Sequence, residues 1–87
     1  MNKDEFKLKL KSSTEKELYE LCKRYIWLSA YAANNPSSDY HWMSDMCYGE
    51  CYDRKKEKIY SDAYRRTYMS EFGSDPHPED GPIGNYD

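Results

Sequence analysis

TEKELYELCKRYIWLSAYAANNP, residues 14–36, decides the fold. Thr14 and Glu17 form a capping box: the hydroxyl takes the N–H of the third helical residue, and the carboxylate takes the N–H of Thr14. Behind it Leu18, Leu21, Cys22, Tyr25, Leu28 and Ala32 recur at i, i+3, i+4 and i+7. That spacing makes one apolar helical face, which Ile26 and Trp27 widen. Pro36 disfavours helical geometry at Asn35, so the pattern predicts a helix over 15–33.

Upstream, residues 2–11 admit two readings. Phe6, Leu8 and Leu10 alternate with Lys7, Lys9 and Lys11, as in a strand. Asn2 with Glu5 reads instead as a helix cap, and Phe6 with Leu10 as an i,i+4 pair. The rest of the chain offers no second strand to pair with, so a short helix is the expectation.

Downstream, Ser37 or Ser38 caps a further helical pattern starting at Asp39, whose charge suits a helix N-terminus. Met43, Met46, Cys47 and Cys51 mark one buried side. Ile59, Ala63 and Thr67 mark another, with Tyr60 and Tyr64 beside them. Gly49 is a candidate kink or point of close backbone approach. No Gly or Pro falls between Glu50 and Phe72. An unbroken helix 39–71 would run about 50 Å against roughly 28 Å for helix 15–33, which cannot cover it. Either the chain bends near Asp53–Lys56 or the overhang packs on another molecule, and a bend or kink is the expectation. Gly73 suits a left-handed helix terminator, and residues 73–87 hold three of the four Pro and three of the four Gly. The expected fold is all-α: a small bundle of three to four helices over residues 1–72, with an extended acidic Pro/Gly-rich tail over 73–87.

Eighty-seven residues make one domain, and ten of its residues are Tyr, whose hydroxyl needs water or a partner. Such a chain buries a thin core, which favours self-association or a binding partner. The net charge of −3 is unevenly laid out. Residues 1–34 carry seven Lys/Arg against five Asp/Glu, residues 35–72 six against seven, and residues 73–87 four acids and no base. That is neither the basic excess of a protein that sheathes nucleic acid nor the strong acidity of one that imitates it. The three Cys are an odd number, the N-terminus has no apolar segment, and no long apolar run occurs. These features predict a cytoplasmic protein with reduced thiols and no membrane span.

Chemistry-bearing motifs are sparse. Cys47-x-x-x-Cys51, joined by Cys22 and His41, would make a four-ligand zinc set. The spacing is unlike that of turn-borne zinc pairs, His41 lies six residues before Cys47, and all three thiols fall on core faces. No metal and no cofactor is expected. The only histidines are His41 and His77, and a thiol buried in an apolar face is inert. Neither a phosphate loop nor a metalloprotease or nucleophile-elbow motif occurs. The chain is expected not to be an enzyme.

The tyrosines stand out. Tyr48, Tyr52, Tyr60, Tyr64 and Tyr68 fall at multiples of four, beside Arg54, Lys55, Lys56, Lys58, Arg65 and Arg66. Some of these rings fill a core short of larger apolar residues. The same mixture anchors protein interfaces, and it also stacks bases and pairs phosphates. The candidate partner-binding set is Tyr60, Tyr64, Arg65, Arg66 and Tyr68, with Asp75, Glu79 and Asp80 of the tail. Glu17, Glu20, Lys23 and Arg24 on the first long helix are expected to form an ordinary solvated side.

In overall profile the chain resembles the small, tyrosine-rich, non-enzymatic accessory proteins of phages and mobile elements. The resemblance is one of composition and rests on no motif. It implies a stoichiometric inhibitor or modulator of a cytosolic protein target or nucleoprotein complex, of the host-defence antagonist type. Two other classes compete with it: a nucleotide or nucleic-acid binder using the Tyr/Arg stripe, and a homo-oligomeric structural or assembly subunit.

Overall fold

The computed structural model describes residues 2–71. Four helices follow one another: α1 (Lys3–Lys11), α2 (Glu15–Tyr31), α3 (Asp39–Asp53) and α4 (Glu57–Glu71). Among the described residues there is no strand. The tail, with Asp75, Glu79 and Asp80, and the terminator expected at Gly73 lie outside the described residues.

Each start signal acts as its chemistry requires. The Asn2 side chain accepts from the Glu5 N–H at 2.8 Å and donates to the Glu5 carboxylate at 2.9 Å, so residues 2–11 are a capped helix. At α2 the reciprocal box closes: the Glu17 N–H reaches Thr14 Oγ1 at 3.1 Å, and the Thr14 N–H reaches Glu17 Oε1 at 2.8 Å. That backbone hydrogen bond, with one from the Thr14 hydroxyl, holds the Glu17 carboxyl below its ordinary range. Ser38 caps α3 by accepting from the Tyr40 N–H at 3.3 Å. Helix α2 ends at Tyr31, two residues before the expected 33, with Ala32 as its cap.

The expected bend is real and sharp. Helix α3 stops at Asp53, and Lys55 takes the left-handed conformation at φ 58°. The Lys56 N–H bonds back to the Cys51 carbonyl at 2.8 Å and the Lys55 N–H to Tyr52 at 2.9 Å. This is a Schellman terminator with lysine where glycine is usual. Gly49 does not kink α3 and is approached by nothing: a Cβ built there meets no atom within 4 Å.

Contacts fix the directions. Lys56 pairs with Glu15 at 3.2 Å, and Thr67 Oγ1 donates to the Lys23 carbonyl at 3.4 Å, so α4 runs alongside α2 in the same sense. Cys22 touches Cys51, and Ser29 touches His41, so α3 runs opposite to α2. Helix α1 lies along α3, with Lys3 over the Trp42 ring and Leu10 beside Arg54.

The core is Phe6, Leu10, Leu18, Cys22, Ile26, Cys47, Cys51, Ile59 and Ala63. Ile26, expected to flank the α2 face, is at its centre with Leu18 and Cys22. On α3 the deepest positions are Ser44, Cys47, Glu50 and Cys51, while Met43 and Met46 are only partly covered. Phe6 anchors α1, meeting Tyr25 and Trp42 edge-on at 5.1 and 5.8 Å. Burying this one ring contributes about 2–3 kcal/mol.

Candidate functional site

The α3–α4 turn folds the tyrosine stripe back on itself without breaking it. Tyr52 lies beside Tyr48 (centroids 6.4 Å), and Tyr48 meets Tyr60 edge-on across the helix pair at 5.3 Å. Tyr60 then leads to Tyr64 at 6.5 Å, and Tyr64 stacks on Tyr68 at 4.6 Å. Five rings from two helices thus make one continuous ladder. Its two α3 members are outward, Tyr48 at 45% and Tyr52 at 62% exposure, and its three α4 members are half-buried.

The ladder is anchored at its middle. Tyr60 Oη and Ser44 Oγ share a hydrogen bond at 3.1 Å, and burial raises the Tyr60 phenol above its ordinary value. Hydrogen bonding with Tyr68, reinforced by desolvation, pushes the Tyr64 phenol up to about 12. Tyr60 and Tyr64 therefore stay neutral across the physiological range.

The cations that the sequence sets beside these rings are largely engaged elsewhere. Arg54 Nε donates to Glu50 at 2.6 Å, and its Nη2 donates to the carbonyls of Leu10 and Ser13, each at 2.8 Å. It closes the C-terminus of α1. Lys58 pairs with the buried Asp62 at 2.9 Å and Lys56 with Glu15. Arg65, expected at a partner surface, is 5% exposed and engaged within the fold. It does not present its charge to solvent. Arg66 is exposed but borders a groove against α2, away from the rings. Of the candidate set, Tyr60, Tyr64 and Tyr68 come together with Tyr48 and Tyr52, and the two arginines do not join them.

The thiols converge instead in the core. Cys22, Cys47 and Cys51 are fully buried, and Cys22 Sγ lies 3.8 Å from Cys51 Sγ. Hydrogen bonding to Cys47 and Cys51, with burial, drives the Cys22 thiol far above its ordinary range. Among the described residues, no group of three His, Cys, Asp or Glu side chains is placed to hold a metal ion. His41, once a candidate fourth ligand, is held elsewhere. Its Nε2 lies 2.9 Å from the Asn35 carbonyl and its Nδ1 2.7 Å from Ser29 Oγ. A carbonyl only accepts, so Nε2 carries a proton, and Nδ1 shares a hydrogen bond with the serine hydroxyl. The ring thus staples the α2–α3 turn.

No known family, curated protein or solved structure matches the chain. No helix among the described residues is long and apolar enough to cross a membrane.

Proposed function

We propose that this is a non-enzymatic binding protein, a stoichiometric inhibitor or modulator of a macromolecular target, and that it grips its partner with the tyrosine ladder. The observation that carries this reading is the run of five touching rings with Tyr48 and Tyr52 outermost. Tyrosine offers large contact area, a polar tip and a small entropy loss on immobilisation, which is the chemistry of interface anchors. The ladder is held rigid from below by Ser44, so little is lost on docking. The accessory proteins of phages and mobile elements, which the chain resembles in composition, commonly work in this way.

The shortage of free cations beside the rings favours a protein partner over nucleic acid, whose phosphates need several of them. A subunit that assembles with copies of itself would use the same surface, and mass measured against concentration separates that outcome. The direct test is capture from the cytosol of the source organism or its host with wild-type and Tyr48→Ser/Tyr52→Ser protein. A single species held by the wild type and lost from the variant, with helicity and Tm unchanged, supports the reading. Equal capture by both overturns it.

A further inference from the structure

Three sulfurs meet where the helices pack, and the tyrosine ladder uses none of them. Cys22 comes from α2, while Cys47 and Cys51 stand one turn apart on α3. All three are free thiols without exposed surface. Cys22 is the hub. Its thiol hydrogen-bonds with both Cys47 and Cys51, and its Sγ lies 3.8 Å from that of Cys51. Sulfur differs from other core fillers in one respect: two neighbouring thiols can give up two protons and two electrons for a covalent bond.

From 3.8 Å apart, the sulfurs of Cys22 and Cys51 need to travel about 1 Å each to reach a bond length of about 2 Å. Helices α2 and α3 keep their packing in this, and His41 on Ser29 already pins them together at the other end. Cys47 and Cys51 project from one helix, so a bond between them would join nothing new. A bond from Cys22 to Cys51 joins two elements across 29 residues of chain. It also ties down the last turn of α3, where the reversal into α4 begins. Hydrogen bonds with Cys47 and Cys51 raise the Cys22 thiol, which keeps its proton, whereas the bond from Cys22 draws the Cys51 thiol below its ordinary value. Of the two, Cys51 is the attacking sulfur.

We propose that Cys22 and Cys51 are a modification site for peroxide, which closes them into a disulfide between α2 and α3 and leaves Cys47 a free thiol. The Cys51 sulfur attacks one peroxide oxygen and the O–O bond breaks. That oxygen stays as sulfenic acid, and the other leaves as water with the thiol proton. The Cys22 sulfur then attacks the Cys51 sulfur. The S–S bond forms, the S–O bond breaks, and the hydroxyl leaves as water with the Cys22 proton. Two thiols have lost two electrons, and peroxide has been reduced to two waters. Burial sets the rate, because peroxide reaches Cys51 only as the core opens locally. Adjacency sets the product, because the sulfenic acid forms beside a second thiol and is captured before further oxygen is added. The result is a reversible lock, closed by oxidant and released by excess thiol. This inference does not depend on the tyrosine ladder.

The test is treatment of the full chain with hydrogen peroxide, once folded and once in urea. Free thiols are then blocked, and the linked peptides are identified by mass spectrometry without reduction. The folded chain should yield the Cys22–Cys51 link as its main product, within single-chain mass. The unfolded chain should yield mainly Cys47–Cys51, whose ends have the fewest residues between them. The bridged protein should keep its helicity and melt about 10 °C higher, since the bridge restrains the unfolded chain. Dithiothreitol should return the melting temperature to its starting value, which separates the bridge from methionine oxidation. The same main product in both conditions would show that the fold does not direct the pairing, and overturns the proposal. So does a folded chain whose thiols stay unchanged or pass to sulfinic acid without a bridge. A link found only between chains, or a bridged protein no more stable than the reduced one, overturns it equally.

Discussion

Arg54 Nη2 lies 2.8 Å from the carbonyl oxygen of Leu10, its partner 44 residues earlier in the chain. One guanidinium therefore joins the Ser13 N–H on the Leu10 carbonyl at the end of α1 and takes the Ser13 carbonyl just beyond it, while Glu50, itself 8% exposed, fixes the guanidinium from the other side. Helix C-termini leave such acceptors without partners. Arg54→Ala should cost about 2–4 kcal/mol, because it strands a buried carboxylate and unties the end of α1 from α3. Arg54→Lys should restore little of this, since a point charge cannot span the fork. Urea denaturation measures the loss, and hydrogen exchange should show residues 3–11 opening first. Wild-type stability in Arg54→Ala would show that the network is ornamental.

The α3–α4 turn gives a prediction of opposite sign. Lys55 at φ 58° occupies a region costly for any residue with a Cβ. Lys55→Gly should stabilise by about 0.5–1 kcal/mol once the greater freedom of glycine in the unfolded chain is subtracted. Gly49→Ala should add a similar about 0.5–1 kcal/mol, because the helical site is empty where the methyl group would go. Midpoint shifts in denaturant at constant slope report both. Loss of stability in Lys55→Gly would argue that α3 and α4 run on as one helix.

Alkaline pH should loosen the fold through the ladder. Burial raises the Tyr60 phenol, and hydrogen bonding with Tyr68 raises that of Tyr64 to about 12. An acid whose folded value is raised favours folding fully while both states are neutral. That contribution is lost as the unfolded chain ionises first. Stability should therefore hold to about pH 10, the ordinary phenol value, and fall progressively toward pH 12. Tyr60→Phe and Tyr64→Phe should each flatten the fall. Denaturation at a series of pH values, read beside tyrosinate absorbance, checks the order of events.

The thiols should behave as core. Cys22, Cys47 and Cys51 are fully buried, so a thiol reagent should label them only as fast as the protein opens. A chelator should leave the melting temperature where it is, because among the described residues no group of three His, Cys, Asp or Glu side chains is placed to hold a metal ion. Cys22→Ser should cost about 1–3 kcal/mol for a hydroxyl placed among sulfurs and methyls. One tightly held equivalent of zinc whose removal melts the protein would refute the whole set.

What could be read in advance was local. Asn2, Thr14 and Ser38 act on N–H groups two or three residues away, so short spacing suffices to announce them. Helix length allowed either a bend at Arg54–Lys56 or an overhang covered by another molecule, because no glycine or proline marks the bend and lysine carries the left-handed turn. Glu50, Asp62 and Arg65 were not legible as interior residues, because a charge ordinarily means surface and their partners or cover depend on tertiary packing. Arg54 belonged by sequence to the tyrosine stripe, and apart from Glu50 its partners lie more than forty residues away. The ladder was legible as a four-residue repeat, but its passage from Tyr48 to Tyr60 required the turn.

The Arg54 clasp also orders events during synthesis. A nine-residue helix is marginal by itself in water, and α1 leaves the ribosome without the guanidinium that ties its Leu10 carbonyl to α3. At about 5–20 residues per second, the chain needs several seconds to extend from Leu10 to Arg54. Through that interval Leu10 lacks the Arg54 contact, and Phe6 has only Tyr25 of α2 until Trp42 emerges. Helix α1, made before α3, is thus secured by Arg54 only after α3 has emerged behind it.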